Sequence, residues 1–115
     1  MGVVRSVEAS VESVSKGRLR GQMIARARVR GGGEMEFDLI EGVLSLGEGD
    51  SIRVEFLDSE PEDPEAYEFC GHGYLVAPEG EAGLTIFSIW GIIFKVKPPM
   101  GLEPERKYYL CLRRA

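Results

Sequence analysis

The sequence predicts an all-β fold, a closed barrel or a sandwich built from short antiparallel strands. Apolar and polar residues alternate with a period of two through most of the chain, which is typical of strands with one buried face. Glycines and prolines separate the alternating segments, and no segment shows sustained helical spacing. A chain of 115 residues has the size of one domain, so we expect residues 1–115 to share a single core.

The first half of the chain contains four predicted strands. The second of them has an apolar face at the odd positions from Leu19 to Val29, and glycines 31–33 form the turn that follows it. Only residues 39–46 are compatible with a short helical turn. The four strands are expected at about residues 3–12, 18–30, 34–39 and 52–56.

An acidic segment, residues 58–68, separates these strands from the second half of the chain. It carries six acidic residues and two prolines, so we expect a solvated loop. Four more strands follow, at about residues 69–77, 84–90, 92–97 and 107–113. The loop therefore divides the strands into two groups of four.

The net charge of −5 is distributed unevenly. Residues 1–30 carry seven bases and two acids, residues 31–90 one base and fifteen acids, and residues 91–115 six bases and two acids. The longest uncharged apolar stretch, residues 84–94, is too short to span a membrane as a helix, and the N-terminus lacks a signal-peptide core. We therefore expect a cytoplasmic protein whose two cysteines, Cys70 and Cys111, are reduced.

Arginines at alternate positions of the second strand allow two interpretations. A basic stripe on a small barrel can hold the backbone of a single-stranded nucleic acid. A hairpin closed by the three glycines favours a structural role instead, because its register places each arginine opposite an acid. The expected pairs are Arg30 with Glu34, Arg28 with Glu36 and Arg26 with Asp38, which leaves Lys16, Arg18 and Arg20 for an acidic partner.

Few residues are suited to catalysis or metal binding. Cys70 and His72 would share one face of a strand, but a catalytic thiol also needs an orienting group and an oxyanion site, and neither is recognisable. These two residues and Cys111 are the only soft ligands, one fewer than a structural zinc requires. The glycine-rich segments match no phosphate-binding loop. We predict no catalytic residue, no metal and no cofactor.

The segment LTIFSIWGIIFKV, residues 84–96, places bulky apolar groups on both faces of a strand pair interrupted by Gly91, where we expect a bulge or bend. The interior of a barrel can accommodate one of these faces. The other face needs either a second layer from the same chain or another protein, and both explanations stay open.

Three segments of the second half resemble a known family. GHGYLVAPEGE (residues 71–81), SIWGIIFKVK (residues 88–97) and YYLCLRR (residues 108–114) resemble the eighth subunit of multisubunit RNA polymerases, and most closely its archaeal form, the G subunit. The similarity covers nearly the whole chain, because the N-terminal strands, the acidic loop and the basic final strand occur in the same order. The resemblance implies an eight-stranded barrel related to the oligonucleotide-binding fold. It also implies a non-catalytic subunit that docks on the largest subunit of DNA-dependent RNA polymerase.

The resemblance also suggests where the partner binds. If Ile92, Phe94 and Val96 face the barrel interior, an exposed Ile93 beside Lys95 and Arg113 would combine an apolar contact with bases. The expected partner-binding residues are Ser88, Trp90, Gly91, Ile93, Lys95, Lys97 and Arg113. We expect no membrane and no small-molecule substrate, and contact with DNA or RNA only indirectly, through the complex. The alternative is a free-standing single-stranded nucleic-acid-binding protein, against which the net charge of −5 counts.

Overall fold

A computed structural model describes residues 2–40 and 44–115, which form a closed antiparallel barrel related to the oligonucleotide-binding fold. Around the barrel the strands follow the order β1-β2-β3-β7-β6-β5-β8-β4, so β6 lies diametrically opposite β1. The all-β prediction is confirmed, and the acidic loop separates two groups of four strands as expected. The strands are β1 (Val3–Lys16), β2 (Gln22–Val29), β3 (Glu34–Ile40), β4 (Ser51–Leu57), β5 (Phe69–Leu75), β6 (Thr85–Ile89), β7 (Ile92–Lys97) and β8 (Lys107–Arg114).

The barrel interior is filled by the apolar face of each strand, since alternate side chains of a strand point to the same side of the sheet. Phe37 and Phe94 are cross-strand partners whose rings stack with centroids 4.9 Å apart. Phe56 and Phe87 meet across the interior in an edge-to-face contact at 5.3 Å. All four rings are fully buried, as the period-two alternation predicted for the apolar faces of β3, β4 and β7.

Gly73 explains part of the glycine-rich sequence of β5. A Cβ atom at this inward-facing position would clash with the carbonyl oxygen of Ser88 on the neighbouring strand. Only glycine therefore lets β5 approach β6 so closely, and the ring of Phe87 occupies the space inside.

The β2–β3 hairpin turns at glycines 31–33, as predicted, but its register differs from the expected one. Arg28 faces Glu34 and Arg26 faces Glu36, whereas Asp38 faces Ile24. The pairing is shifted by two residues, because the N–H of Val29 bonds to the carbonyl oxygen of Gly33 and the turn consists of Arg30, Gly31 and Gly32 rather than the three glycines.

Two short helical turns lie outside the strands. One is a 3-10 turn, Pro64–Ala66, within the acidic loop, and the other is a single helical turn, α1 (Glu79–Ala82), that the sequence did not predict. The carboxylate of Glu79 accepts hydrogen bonds from the Thr85 hydroxyl and from the backbone N–H groups of Gly101 and Leu102. α1 thereby holds the segment that leads into β8. The helical turn predicted at residues 39–46 is not observed at Leu39, which belongs to β3, and residues 41–43 lie outside the described residues.

The acidic loop is largely exposed, as expected for a solvated loop, whereas the two cysteines differ from expectation. The loop is partly attached to the barrel, because the hydroxyl of Tyr67 donates to Glu55 and Glu68 pairs with Arg114. Cys70 and Cys111 face each other on β5 and β8 and form a disulfide, so the prediction of reduced cysteines is wrong. The two residues are 41 positions apart in the sequence, and only the pairing of β5 with β8 brings them together.

Candidate partner-binding surface

The tip of the β6–β7 hairpin carries the most exposed large apolar residue described. Trp90 and Gly91 form a two-residue turn between the facing residues Ile89 and Ile92, rather than the bulge or bend expected at Gly91. Both turn residues have positive φ, 53° at Trp90 and 88° at Gly91. Two-residue hairpin turns with this backbone conformation usually have the sequence Asn-Gly. A bulky side chain in this region of backbone space is strained, yet Trp90 is 93% exposed and gains little packing within the chain.

Ser88 and Ile93 lie next to this turn on the outer side of the barrel. They are cross-strand partners, and Ser88 also faces Tyr74 of β5. Ser88 is buried and Ile93 is half-buried, so the prediction of an exposed Ile93 is wrong. The predicted orientation of the side chains along β7 is confirmed, since Phe94 and Val96 are buried in the core and Lys95 and Lys97 point outward.

Trp90 stands between two surface hollows. The first, about 480 Å³, lies towards the β1–β2 turn and contains Leu19 and Arg20 in its wall. The second, about 320 Å³, lies towards β5 and β8 and is lined by Tyr74 and Lys107, among others. Leu19 is 72% exposed and Tyr74 is 51% exposed. We call Leu19, Tyr74, Ser88, Trp90, Gly91 and Ile93 the Trp90 surface.

Two members of the Trp90 surface are not among the residues predicted from the sequence. The alternation of the second strand places Leu19 on its buried face, but β2 begins at Gln22 and Leu19 lies in the turn before it. The sequence Gly17-Arg-Leu-Arg-Gly21, in which glycines bracket the leucine, is a signal that could have placed it in a turn. No local sequence signal places Tyr74 beside Trp90, because their proximity depends on the order of the strands around the barrel.

The remaining predicted residues do not join this surface. Lys97 faces Glu34 and Lys95 faces Glu36 at the other end of β7, where bases and acids alternate around a hollow of about 210 Å³. Arg113 lies on β8, separated from β7 by β5 and β6. The expectation that Arg113 lies beside Ile93 is therefore wrong, since three strand spacings amount to about 14 Å.

Arg113 instead borders a network of charged residues on β1, β4 and β8. It faces Arg53, whose guanidinium lies 3.1 Å from Glu8 and 3.8 Å from Glu55. A hydrogen bond from Arg30, with the charge of Arg53 nearby, lowers the pKa of Glu8 despite partial desolvation of its carboxyl group. Within the chain, the positive charge of Arg53 is therefore balanced by Glu8 and Glu55.

The arginine stripe is paired with acids, as predicted, but each of the three arginines bonds to a different acid from the one expected. Arg26 bonds to Glu36 at 3.1 Å, while Arg28 bonds to Glu12 at 2.9 Å and Arg30 to Glu8 at 2.7 Å. Glu12 and Glu8 belong to β1, on the side of β2 away from β3. A bulge in β1 between Val11 and Ser13 shifts its register there. The stripe is therefore neutralised largely across the β1–β2 pair.

Cys70 and His72 share the outer face of β5 as predicted, but the disulfide occupies both thiols. His72 stacks on Tyr109 with ring centroids 4.2 Å apart. The described residues contain no group of three or more His, Cys, Asp or Glu side chains placed to hold a metal ion. Within the same residues, no helix is both long enough and apolar enough to cross a membrane.

Comparison with known proteins identifies the family. A family model for the G subunit of DNA-directed RNA polymerase matches residues 4–115, from the first strand to the end of the chain. The chain is also similar to the DNA-directed RNA polymerase subunit Rpo8 of Saccharolobus solfataricus, with 23% identity over 97 residues that cover 78% of this chain and 72% of the relative. The barrel and the match along its whole length agree with the resemblance noted in the sequence, and the chain belongs to the family of the RNA polymerase G subunit.

Proposed function

We propose that this chain is a non-catalytic subunit of DNA-dependent RNA polymerase and that it docks on the largest subunit through the Trp90 surface. Family membership supports a role within the polymerase. The observation that carries the docking site is Trp90, which is almost fully exposed on a strained hairpin turn. A partner that buries this indole would offset the backbone strain and remove a large apolar area from water.

The composition of the Trp90 surface is typical of the centre of a protein interface. Trp and Tyr are enriched among residues that dominate binding energy, and they gain most where a rim of other residues excludes water. Ser88 and Ile93 would lie under the partner beside Trp90. A partner's backbone could approach Gly91 closely, because glycine has no side chain and the space where a Cβ atom would stand has no neighbouring atom of this chain within 4 Å. We propose that Lys95 and Lys97 form the polar rim along β7.

Arg113 needs a separate role in this proposal. Its distance from β7 excludes it from the contact around Trp90, so it would belong to a second, smaller contact on β8. The partner of that contact would be acidic, because Arg113 lies beside Arg53.

The alternative of a free-standing nucleic-acid-binding protein has less support. It depends mainly on the arginine stripe, and Arg26, Arg28 and Arg30 each bond to a glutamate. Contact with nucleic acid is accordingly proposed only through the polymerase, which would place the chain in the cytoplasm with the transcription machinery.

Co-purification tests the docking proposal. We expect Trp90→Ser to reduce recovery of the tagged chain with the largest subunit at least about tenfold, as the loss of a central aromatic contact does. Val3→Ser is the matched control, because Val3 is also exposed and lies on β1, diametrically opposite β6. Equal recovery of both variants would reject the Trp90 surface, and recovery of the unaltered chain without any large polymerase subunit would reject the function itself.

A further inference from the structure

The hollow between Leu19 and Trp90 brings together two turns that are far apart in the sequence. Its wall contains Leu19, Arg20 and Gly21 from the β1–β2 turn and Trp90, Gly91 and Ile92 from the β6–β7 hairpin. Both large apolar side chains at its rim are exposed, at 72% for Leu19 and 93% for Trp90. A side chain of a bound partner could therefore contact an aliphatic group on one side and an indole on the other.

The base in the described wall of this hollow is Arg20, and Lys16 and Arg18 precede it in the sequence. Lys16, Arg18 and Arg20 form no ion pair with any carboxylate that the structure describes, unlike Arg26, Arg28 and Arg30 farther along the hairpin. Asp38 is the acidic residue in the described wall, and its carboxylate accepts a hydrogen bond from the backbone N–H of Ile93. Arg20 thus lies in the wall of a largely apolar opening, with Arg18 in the same β1–β2 turn, in a chain whose net charge is −5.

We propose that this hollow receives an apolar side chain from an acidic segment of a protein partner, with Arg18 and Arg20 facing the acids that flank it. The inference rests on the proposed docking function and specifies the chemistry of the segment that docks. Charge complementarity of this kind speeds association and selects the partner, while the buried apolar contact slows dissociation.

A protein segment fits the hollow better than a nucleic acid strand does. Stacking of bases needs a row of aromatic side chains along a basic groove. Here the wall opposite Trp90 is formed by Leu19, which offers no aromatic face, and the adjoining face of β2 and β3 carries its arginines paired with glutamates. A leucine and a tryptophan facing one opening favour an apolar side chain between them.

Crosslinking in the assembled polymerase tests the inference directly. The photoreactive amino acid p-benzoylphenylalanine is placed at position 90 in one variant and at position 19 in another, so that a crosslink can form from either side of the hollow. We expect both to crosslink to the same protein segment, rich in Asp and Glu. Crosslinks to nucleic acid in a transcribing complex, to a segment without excess acids, or no crosslink in an assembled complex would each overturn the inference.

Association kinetics supply the charge test. We expect Arg18→Gln with Arg20→Gln to slow association with polymerase lacking this subunit about tenfold at low salt, and the difference to shrink as salt is raised. Arg28→Gln with Arg30→Gln removes the same charge at the other end of β2 and should leave the rate within about twofold of the unaltered chain. Equal slowing by both pairs would overturn the inference. If the unaltered chain fails to assemble at all, the proposed function fails instead.

Discussion

The carboxylate of Asp38 on β3 accepts a hydrogen bond of 3.0 Å from the backbone N–H of Ile93 on β7. The backbone pairing of these strands ends one residue earlier, at Phe37 and Phe94. The side chain of Asp38 therefore extends the hydrogen bonding between β3 and β7 by one residue, towards the β6–β7 hairpin whose tip is Trp90. The orientation of the Trp90 surface thus depends partly on a residue of another strand.

Removing this carboxylate should destabilise the barrel and loosen the hairpin. We expect Asp38→Ala to lower the free energy of unfolding by about 1–2 kcal/mol, because the half-buried N–H of Ile93 loses a charged acceptor. Asp38→Asn keeps an acceptor oxygen and should lose less. Chemical denaturation measures both, and a larger loss in Asp38→Asn than in Asp38→Ala would contradict the role assigned to the oxygen.

Phe94 and Ile93 are adjacent but should respond differently to substitution. We expect Phe94→Ala to destabilise the isolated chain by about 3–5 kcal/mol, because it removes a fully buried ring that stacks on Phe37. Ile93→Ser changes a half-buried outer residue, so it should cost less stability and weaken assembly with the polymerase by about 2 kcal/mol. Thermal melting and a co-purification assay on both variants separate the effect on stability from the effect on assembly. If Ile93→Ser destabilised the free chain more and Phe94→Ala mainly weakened assembly, the inward and outward side chains of β7 would be misassigned.

The strands were predictable from the sequence because period-two alternation reflects burial directly, but the β2–β3 register was not. The expected and observed registers differ by two residues, and such a shift keeps every side chain on the same face. Arg28 faces outward beside an acid in both cases. The hydrophobic pattern therefore could not distinguish them, and the actual partner of Arg28, Glu12, depends on a bulge in β1.

The disulfide between Cys70 and Cys111 should add measurably to stability. It closes a long loop between β5 and β8, which by the chain-entropy model is worth about 3–4 kcal/mol. We expect a reductant to lower the denaturation midpoint of the native chain and to leave a Cys70→Ala, Cys111→Ala variant unchanged. Two thiols reacting with a thiol reagent in the folded, unreduced protein would contradict the bond.

The residues of the Trp90 surface were only partly predictable, because some of them are far apart in the sequence and meet only in the folded barrel. Ser88, Trp90, Gly91 and Ile93 are close in sequence and remain close in the hairpin. Tyr74 joins them because β5 pairs with β6, and Leu19 because β3 connects β2 to β7. Arg113 is left out because β5 and β6 separate β8 from β7. A local pattern contains no information on that order.

Tyr67 should titrate later than an ordinary tyrosine. Its hydrogen bond to Glu55, together with burial and the negative charge of Glu55, raises its pKa above the usual value. The stability contributed by this bond is present in full below pH about 10, where an unfolded tyrosine ionises, and is lost as the pH rises through the higher pKa of the folded chain. Ultraviolet titration checks this: Tyr67→Phe should remove a late-ionising group, and loss of an early-ionising one would contradict the assignment.

The chain contains a single tryptophan, which makes docking through Trp90 directly measurable by fluorescence. When Trp90 is replaced by 5-hydroxytryptophan, its fluorescence can be excited selectively among the tryptophans of the other polymerase subunits. The free chain should be quenched readily by acrylamide, since the side chain is 93% exposed. In the assembled polymerase we expect a shift of the emission to shorter wavelength and a several-fold loss of quenching. An assembled complex in which the label stays as accessible to acrylamide as in the free chain would contradict docking through the Trp90 surface.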